Sequence, residues 1–319
     1  MNLEEKKQEV LRDVQERCAS LNYTLLYATV VGSHAYGNST PESDVDVRFV
    51  FAAPEAHYLG FGGKDSLTIE TEDVFGYEFV KWSKLLLENN PTVMEMLFMD
   101  VESILYLDRC MLSFLNYKSN LLSKKCLFSY LKYAENQIYK AKSCTKDIVE
   151  LLEQYEELLK LNKVSLQNLA VKQAFRDKPV NYPDTWVYDI FADTIGDLID
   201  KYKDFKQSKF PYSDLGAKRR EYLKKFGVDM KNLSHAIRLS RTCKDIFEKK
   251  ELKVLRSDAN YFLEIKQGKF SLEHLENEFK SLKDDILELS KTSDLPEVPD
   301  RKGLEEVTVK ALRMVLFDV

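Results

Sequence analysis

The chain has 319 residues, enough for two domains or for one large domain with an extension. It is 44% hydrophobic and 31% charged with only 11 Gly and 8 Pro, which excludes a disordered or low-complexity protein. A formal net charge of −5 excludes coating of nucleic acid by bulk positive charge but leaves room for a local basic patch.

The opening MNLEEKKQEVLRDVQER is charged and amphipathic; residues 3–20 read as a helix with Val10, Leu11 and Val14 on one face rather than as a signal peptide. YTLLYATVV, residues 23–31, is an apolar, β-rich run and reads as a buried strand. Residues 45–51 read as its partner, 68–75 as a third, more acidic strand, and 79–87 as a helix. Asn90-Pro91 opens another helix over 92–98, because Asn is a good N-cap and Pro suits the first helical position.

Beyond residue 105 strand signals fade. Helical patterns follow over 128–142, 146–162, 215–225, 230–249 and 273–291, with Arg256–Asp258 as a polar break. Leu151, Leu152, Tyr155, Leu158 and Leu159 have the spacing of core or interface residues, and RDKPVNYPDTW, 176–186, reads as a loop able to line a cleft. The expected architecture is an α+β domain with a mixed sheet over 1–105, followed by an α-helical domain over 106–319. Cys18, Cys110, Cys126, Cys144 and Cys243 are odd in number, widely spaced and without CxxC, so a reducing compartment fits better than a disulfide framework or a structural zinc. No apolar run reaches the ~18 residues of a membrane span, and the expectation is a cytoplasmic protein.

The densest chemistry lies in VVGSHAYGNSTPESDVDVRFVF, residues 30–51. Alternation in an extended strand puts Asp44, Asp46 and Arg48 on one face and Val45, Val47 and Phe49 on the other. Like charges side by side repel unless a cation or water separates them. Mg²⁺ takes hard oxygen ligands and keeps part of its shell for phosphates. Paired carboxylates with a third nearby therefore match in-line phosphoryl or nucleotidyl transfer. Gly32 lets the backbone approach an anion, and Ser33 adds an amide and a hydroxyl at the start of a short helix. Asp-x-Asp alone also describes many solvated loops and caps; the restrictive signal is its order, strand, Gly-Ser, ten residues, Asp-x-Asp. An EF-hand does not fit, since Phe49 and not Gly stands sixth from Asp44. Neither G-x-S-x-G nor a Walker A sequence occurs.

The segment GSHAYGNSTPESDVDVRFVF resembles the signature of nucleotidyltransferases with a DNA polymerase β-type catalytic domain. More narrowly it resembles their RNA-ligase-associated RNA repair members, which read roughly G-S-x-A-Y-G-x-x-T-P-x-S-D-x-D-x-R. Gly32, Ser33, Ala35, Tyr36, Gly37, Thr40, Pro41, Ser43, Asp44, Asp46 and Arg48 match. The resemblance continues through Asn90, Pro91 and Glu95 of NNPTVMEMLF, and into KNLSHAIRL at 231–239 and SDLPEVPD at 293–300. Phe49 departs from it, standing where many relatives have Gly.

The resemblance implies an NTP donor, two Mg²⁺ ions with Mn²⁺ as a substitute, and an RNA 3′ end as acceptor. Asp44 and Asp46 would hold metal together with a third acid on a neighbouring strand. Asp73, in EDVFGY, is favoured, with Glu70, Glu72 and Glu78 as alternatives; the same acids also fit a solvated edge strand. His34 stands where relatives often carry Arg, so it joins Gly32, Ser33 and Arg48 as a nucleotide contact. Lys231, His235 and Arg238 share one helical face, in a window, 214–250, with eleven Lys/Arg against five Asp/Glu. A positive face suits a triphosphate or an RNA backbone, and composition alone equally describes a solvated face; the resemblance at KNLSHAIRL implies the first, with Lys231, His235 and Arg238 as nucleotide contacts. Leu233 and Ile237 would pack the opposite side. The leading reading is a metal-dependent nucleotidyltransferase. The alternatives are transfer to a small molecule or a protein, and a non-catalytic NTP- or RNA-binding module.

Overall fold

The computed structural model describes residues 2–41, 43–60, 67–71, 73–143, 145–164, 204 and 217–317. Glu72, Cys144, the 176–186 loop and the side chains of Tyr155, Leu158 and Leu159 lie outside the described residues. The chain divides into two compact units, one built from Met1–Asn136 together with Ser234–Val319, the other from Gln137–Leu233.

The first unit begins with α1 (Leu3–Ser20), closed at its N-terminus by a capping box between Asn2 and Glu5. Then come β1 (Thr24–Val30), a one-and-a-half-turn α2 (Gly32–Tyr36), β2 (Val47–Ala52), α3 (Glu55–Leu59), β3 (Thr68–Glu70) and β4 (Val74–Glu78). Helices α4 (Phe79–Leu87) and α5 (Pro91–Leu97), strand β5 (Ile104–Leu107) and α6 (Leu112–Tyr117) complete the α/β part. The helices that follow are α7 (Lys125–Ser143), α8 (Lys146–Val164), α9 (Ala217–Phe226), α10 (Met230–Lys249), α11 (Ala259–Lys266), α12 (Leu272–Thr292) and α13 (Arg301–Phe317). An N-terminal mixed sheet followed by helices is the architecture the sequence predicts.

The sheet runs β3-β4-β2-β1-β5. Only β2 and β4 are parallel; β1 pairs antiparallel with β2 and β5, and β3 with β4. Both faces of β1 are covered, which is why its sequence is a continuous apolar run rather than an alternation. On one face Leu11, Val14 and Cys18 of α1 pack against Val30, Val47, Phe49, Phe51 and Val74. Phe49, the departure from the family pattern, is accommodated by its register partner Gly76: a Cβ there would lie 2.3 Å from the Phe49 ring.

Two sequence expectations change. The single strand expected over 68–75 is two antiparallel strands, Thr68–Glu70 and Val74–Glu78, and β5 adds an edge strand where strand signals fade. Both are short edge segments stabilised by pairing with a neighbour, which periodicity along one chain does not register.

In the second unit Arg220 of α9 makes a bidentate pair with Glu156 of α8 at 2.5 and 2.8 Å, and Lys224 meets Glu153 at 2.5 Å. Among the described residues no helix is long and apolar enough to cross a membrane.

Candidate active site

The Gly-Ser turn and the Asp-x-Asp segment meet at the end of the β1–β2 pair. Asp44-Val45-Asp46 lies immediately before β2 rather than inside it, but the ladder reaches it, since the Val31 amide donates to the Asp46 carbonyl at 2.9 Å. Alternation holds across this entry: Val45 and Val47 are buried, Asp46 and Arg48 half-buried, Asp44 exposed.

Gly32 adopts φ +69°, and a Cβ on it would lie 2.3 Å from Asp46 Oδ2. The anion that Gly32 lets in close is therefore the chain's own Asp46 carboxylate. Asp73 lies immediately before β4. The Val47 amide donates to the Asp73 carbonyl at 2.8 Å, and the parallel register begins with Val47 opposite Val74. Asp46 and Asp73 thus stand side by side, each one residue ahead of that pair. Asp73 is exposed.

The alternative acids have other positions. Glu78 is buried and caps α4, accepting from the Val80 and Lys81 amides at 2.8 Å and from the Tyr58 hydroxyl at 2.7 Å. Glu70 is exposed on the edge strand β3. Within the turn the Ser33 carbonyl accepts from the Asn38 amide at 3.0 Å, and His34 Nε2 lies 3.4 Å from the Ser43 carbonyl. Ser43 Oγ accepts from the Thr40 amide at 2.8 Å, pinning the loop that leads to Asp44.

Arg238, which the resemblance implies as a nucleotide contact, lies in a buried ion pair. It is 3% exposed and pairs with Glu95, at 5%, through Nη1 and Oε1 at 2.6 Å. Its guanidinium lies 3.7 Å from the centroid of the Tyr36 ring, and the Tyr36 hydroxyl donates to Glu95 Oε2 at 2.8 Å. Burial pulls the Arg238 pKa down, but Glu95 together with the Tyr36 and Tyr130 phenols outweighs it and keeps the guanidinium charged; burial raises the pKa of the Tyr36 phenol. His235 is half-buried with Nε2 3.4 Å from Arg238 Nη2. Leu233 and Ile237 are buried as expected, while Lys231 is exposed and belongs to the second unit. Sequence reading matched Glu95 and Tyr36 to motifs without giving either a role; the Asn90 cap and Pro91, which fix α5, were the available signal.

Arg48 donates from Nη1 to the Tyr77 hydroxyl at 2.8 Å, with its guanidinium 5.6 Å from the centroid of the Phe75 ring. The donor set suits a hard divalent cation, since Asp44, Asp46 and Asp73 offer carboxylate oxygens of the type Mg²⁺ and Mn²⁺ take. Among the described residues no three His, Cys, Asp or Glu side chains close into a ready metal cage. Mg²⁺ does not require one, because it keeps waters and substrate phosphates and takes one or two carboxylates.

The profile of a family described as the RNA repair pathway DNA polymerase beta family matches residues 4–163. The chain is 22% identical over 289 residues to an uncharacterized 38.9 kDa protein of the nrdC-mobD intergenic region of Enterobacteria phage T4, covering 80% of this chain and 86% of the phage protein. It is 27% identical over 99 residues to the uncharacterized protein YcgL of Bacillus subtilis strain 168, covering 30% of this chain and 38% of YcgL. No solved structure matches.

Proposed function

The chain belongs to the RNA repair pathway DNA polymerase beta family, and from that premise we propose that it is a metal-dependent nucleotidyltransferase moving NMP from an NTP to an RNA 3′ hydroxyl, with release of pyrophosphate. The observation that carries the reading is the seating of the Asp46 carboxylate against Gly32, with Asp73 beside it across the parallel ladder.

In this reading Asp44, Asp46 and Asp73 hold the divalent ions. When bound, Mg²⁺ would supply charge neutralisation for the phosphates and help lower the pKa of the acceptor hydroxyl. Gly32 and Ser33 hold the leaving phosphates through the backbone amides and the Ser33 hydroxyl, with His34 at the rim. Asp73, exposed at the strand entry, accepts the acceptor proton. Arg48 and His235 contact the nucleotide. Arg238 acts as a positioning residue, since its charge is taken up by Glu95 and its planar face holds Tyr36 at the C-terminal end of α2. Residues 1–105 contribute the carboxylates and the Gly-Ser turn, and 106–319 contribute nucleotide and acceptor contacts. The rate enhancement is assigned to positioning and electrostatics. A reducing, cytoplasmic setting is consistent with the free thiols of Cys18, Cys110, Cys126 and Cys243.

The test is incubation of the full chain with α-labelled NTPs, Mg²⁺ and RNA bearing a free or a blocked 3′ end. Label entering only the free-ended RNA, and lost with Asp46→Asn, is the expected result. NTP binding without transfer, unchanged by that substitution, would show a non-catalytic binding module instead.

A further inference from the structure

The sheet face that carries Asp46 continues into a wall of rings. One same-face step along β2, about 6.6 Å, stands Arg48, and its register partner in β4 is Phe75. The Arg48 guanidinium lies over the Phe75 ring and is bonded to the Tyr77 hydroxyl. The Phe75 and Tyr77 rings are 4.7 Å apart, tilted by 56°. A second pair comes from the helices: Tyr133 of α7 and His235 of α10 have ring centroids 6.4 Å apart. Geometry ties this second pair to α2 and the Gly-Ser turn: His235 Nε2 is 3.4 Å from Arg238 Nη2, and the Arg238 guanidinium lies 3.7 Å from the centroid of the Tyr36 ring. Burial raises the Tyr77 pKa, Arg48 works against that, and the Tyr133 phenol adds to it.

Packing alone does not account for this group. Phe49, Phe51 and Phe79 in the core are fully buried, whereas Arg48, Phe75 and His235 are half-buried and Tyr133 is 37% exposed. Partly exposed rings beside a planar cation, one strand step from paired carboxylates, have the chemistry that stacks nucleobases. Every base offers a π-face, and guanidinium groups add to stacking surfaces. A bare polyphosphate gains nothing from the rings.

Resting on the nucleotidyltransferase reading, we propose that Arg48, Phe75, Tyr133 and His235 form a nucleobase-stacking wall, with Tyr77 behind it fixing the Arg48 guanidinium. Its occupant is a nucleobase, carried either by the NTP or by the terminal nucleotide of the acceptor. Stacking does not read base edges, so the wall admits all four bases with modest preference.

The experiment is equilibrium binding to the full chain with Mg²⁺ present, using three probes: ATP, inorganic tripolyphosphate, and a short RNA with a blocked 3′ end. Phe75→Leu and Tyr133→Leu are expected to weaken ATP or RNA binding by about 5- to 150-fold and to leave tripolyphosphate binding unchanged. The probe that weakens identifies which nucleotide brings the base. Phe75→Tyr keeps a ring and is expected to keep affinity, which separates stacking from a folding defect. Equal losses for tripolyphosphate, or unchanged binding of both ATP and RNA, overturn the wall. If those results accompany normal label transfer by the wild-type chain, the wall fails alone. A wild-type chain that binds neither ATP nor RNA overturns the wall together with the reading beneath it.

Discussion

Gly32 and Asp46 share one volume: the carboxylate Oδ2 occupies the place a Cβ on Gly32 would need, with only 2.3 Å between them. Gly32→Ala therefore acts twice. It puts a side chain at φ +69°, which costs roughly 1–2 kcal/mol, and it drives the Asp46 carboxylate from its position. We expect a folded variant whose nucleotidyl transfer falls by about 100-fold or more, the scale of a misplacement near 1 Å. A thermal melt beside the transfer assay checks this; a variant as active as wild type would mean the Asp46 position is not the functional one.

The Arg238–Glu95 pair gives a second expectation. Removing one partner leaves an uncompensated buried charge, and either Arg238→Met or Glu95→Leu should cost about 3–5 kcal/mol. The double variant should regain most of that loss, because an apolar pair leaves no stranded charge. Urea denaturation of the four proteins measures the coupling. Additive losses would contradict the pairing at 2.6 Å.

Asp73 and Glu78 separate the two roles an acid can play near β4. Glu78→Gln should weaken the α4 cap at a cost of about 1 kcal/mol, and transfer should fall no further than that stability loss dictates. Asp73→Asn should leave stability nearly unchanged and abolish transfer. The reverse pattern would move the third carboxylate to Glu78.

Acid should loosen the junction between α10 and α11. Asp258 lies between Arg241 at 2.9 Å and Arg256 at 2.7 Å. Burial works to raise its pKa, but the two guanidinium groups outweigh it and hold the carboxyl below the usual carboxylate range. A folded-state pKa below the unfolded one means the stabilisation is fully present above the unfolded value, about 3.9. It is lost as pH falls through the depressed folded value. Asp258→Asn should lower stability at a pH of about 6 while reducing the further loss between there and a pH of about 2, a window set by the carboxylate range. Denaturant midpoints at both pH values test it, and identical acid losses in the two proteins would count against it.

Much of the fold was legible because local rules agreed with the tertiary outcome. The apolar run of β1 marked a strand covered on both faces, and Asn90-Pro91 placed the start of α5. The spacing from Gly32–Ser33 to Asp44 and Asp46 marked the meeting of turn and carboxylates. The parts not legible depend on partners far along the chain. Arg238 shares a face with Lys231 and His235, which composition fits equally to a phosphate contact and to a solvated face; its buried pairing is with Glu95, 143 positions away. Glu78 reads as one more acid in an acidic stretch until α4 folds onto its carboxylate. The room for Phe49 comes from Gly76 on another strand.

The contact among Tyr36, Glu95 and Arg238 has a consequence for biosynthesis. Glu95 leaves the ribosome long before its counter-charge, and the intervening stretch includes all of Gln137–Leu233. A nascent chain that stops short of α10 carries the sheet and the Gly-Ser turn but lacks the Arg238 guanidinium that pairs with Glu95 and covers the Tyr36 ring. The turn should then gain protease protection only once Arg238 has emerged, so that competence for the proposed transfer arrives late in translation rather than with the first hundred or so residues.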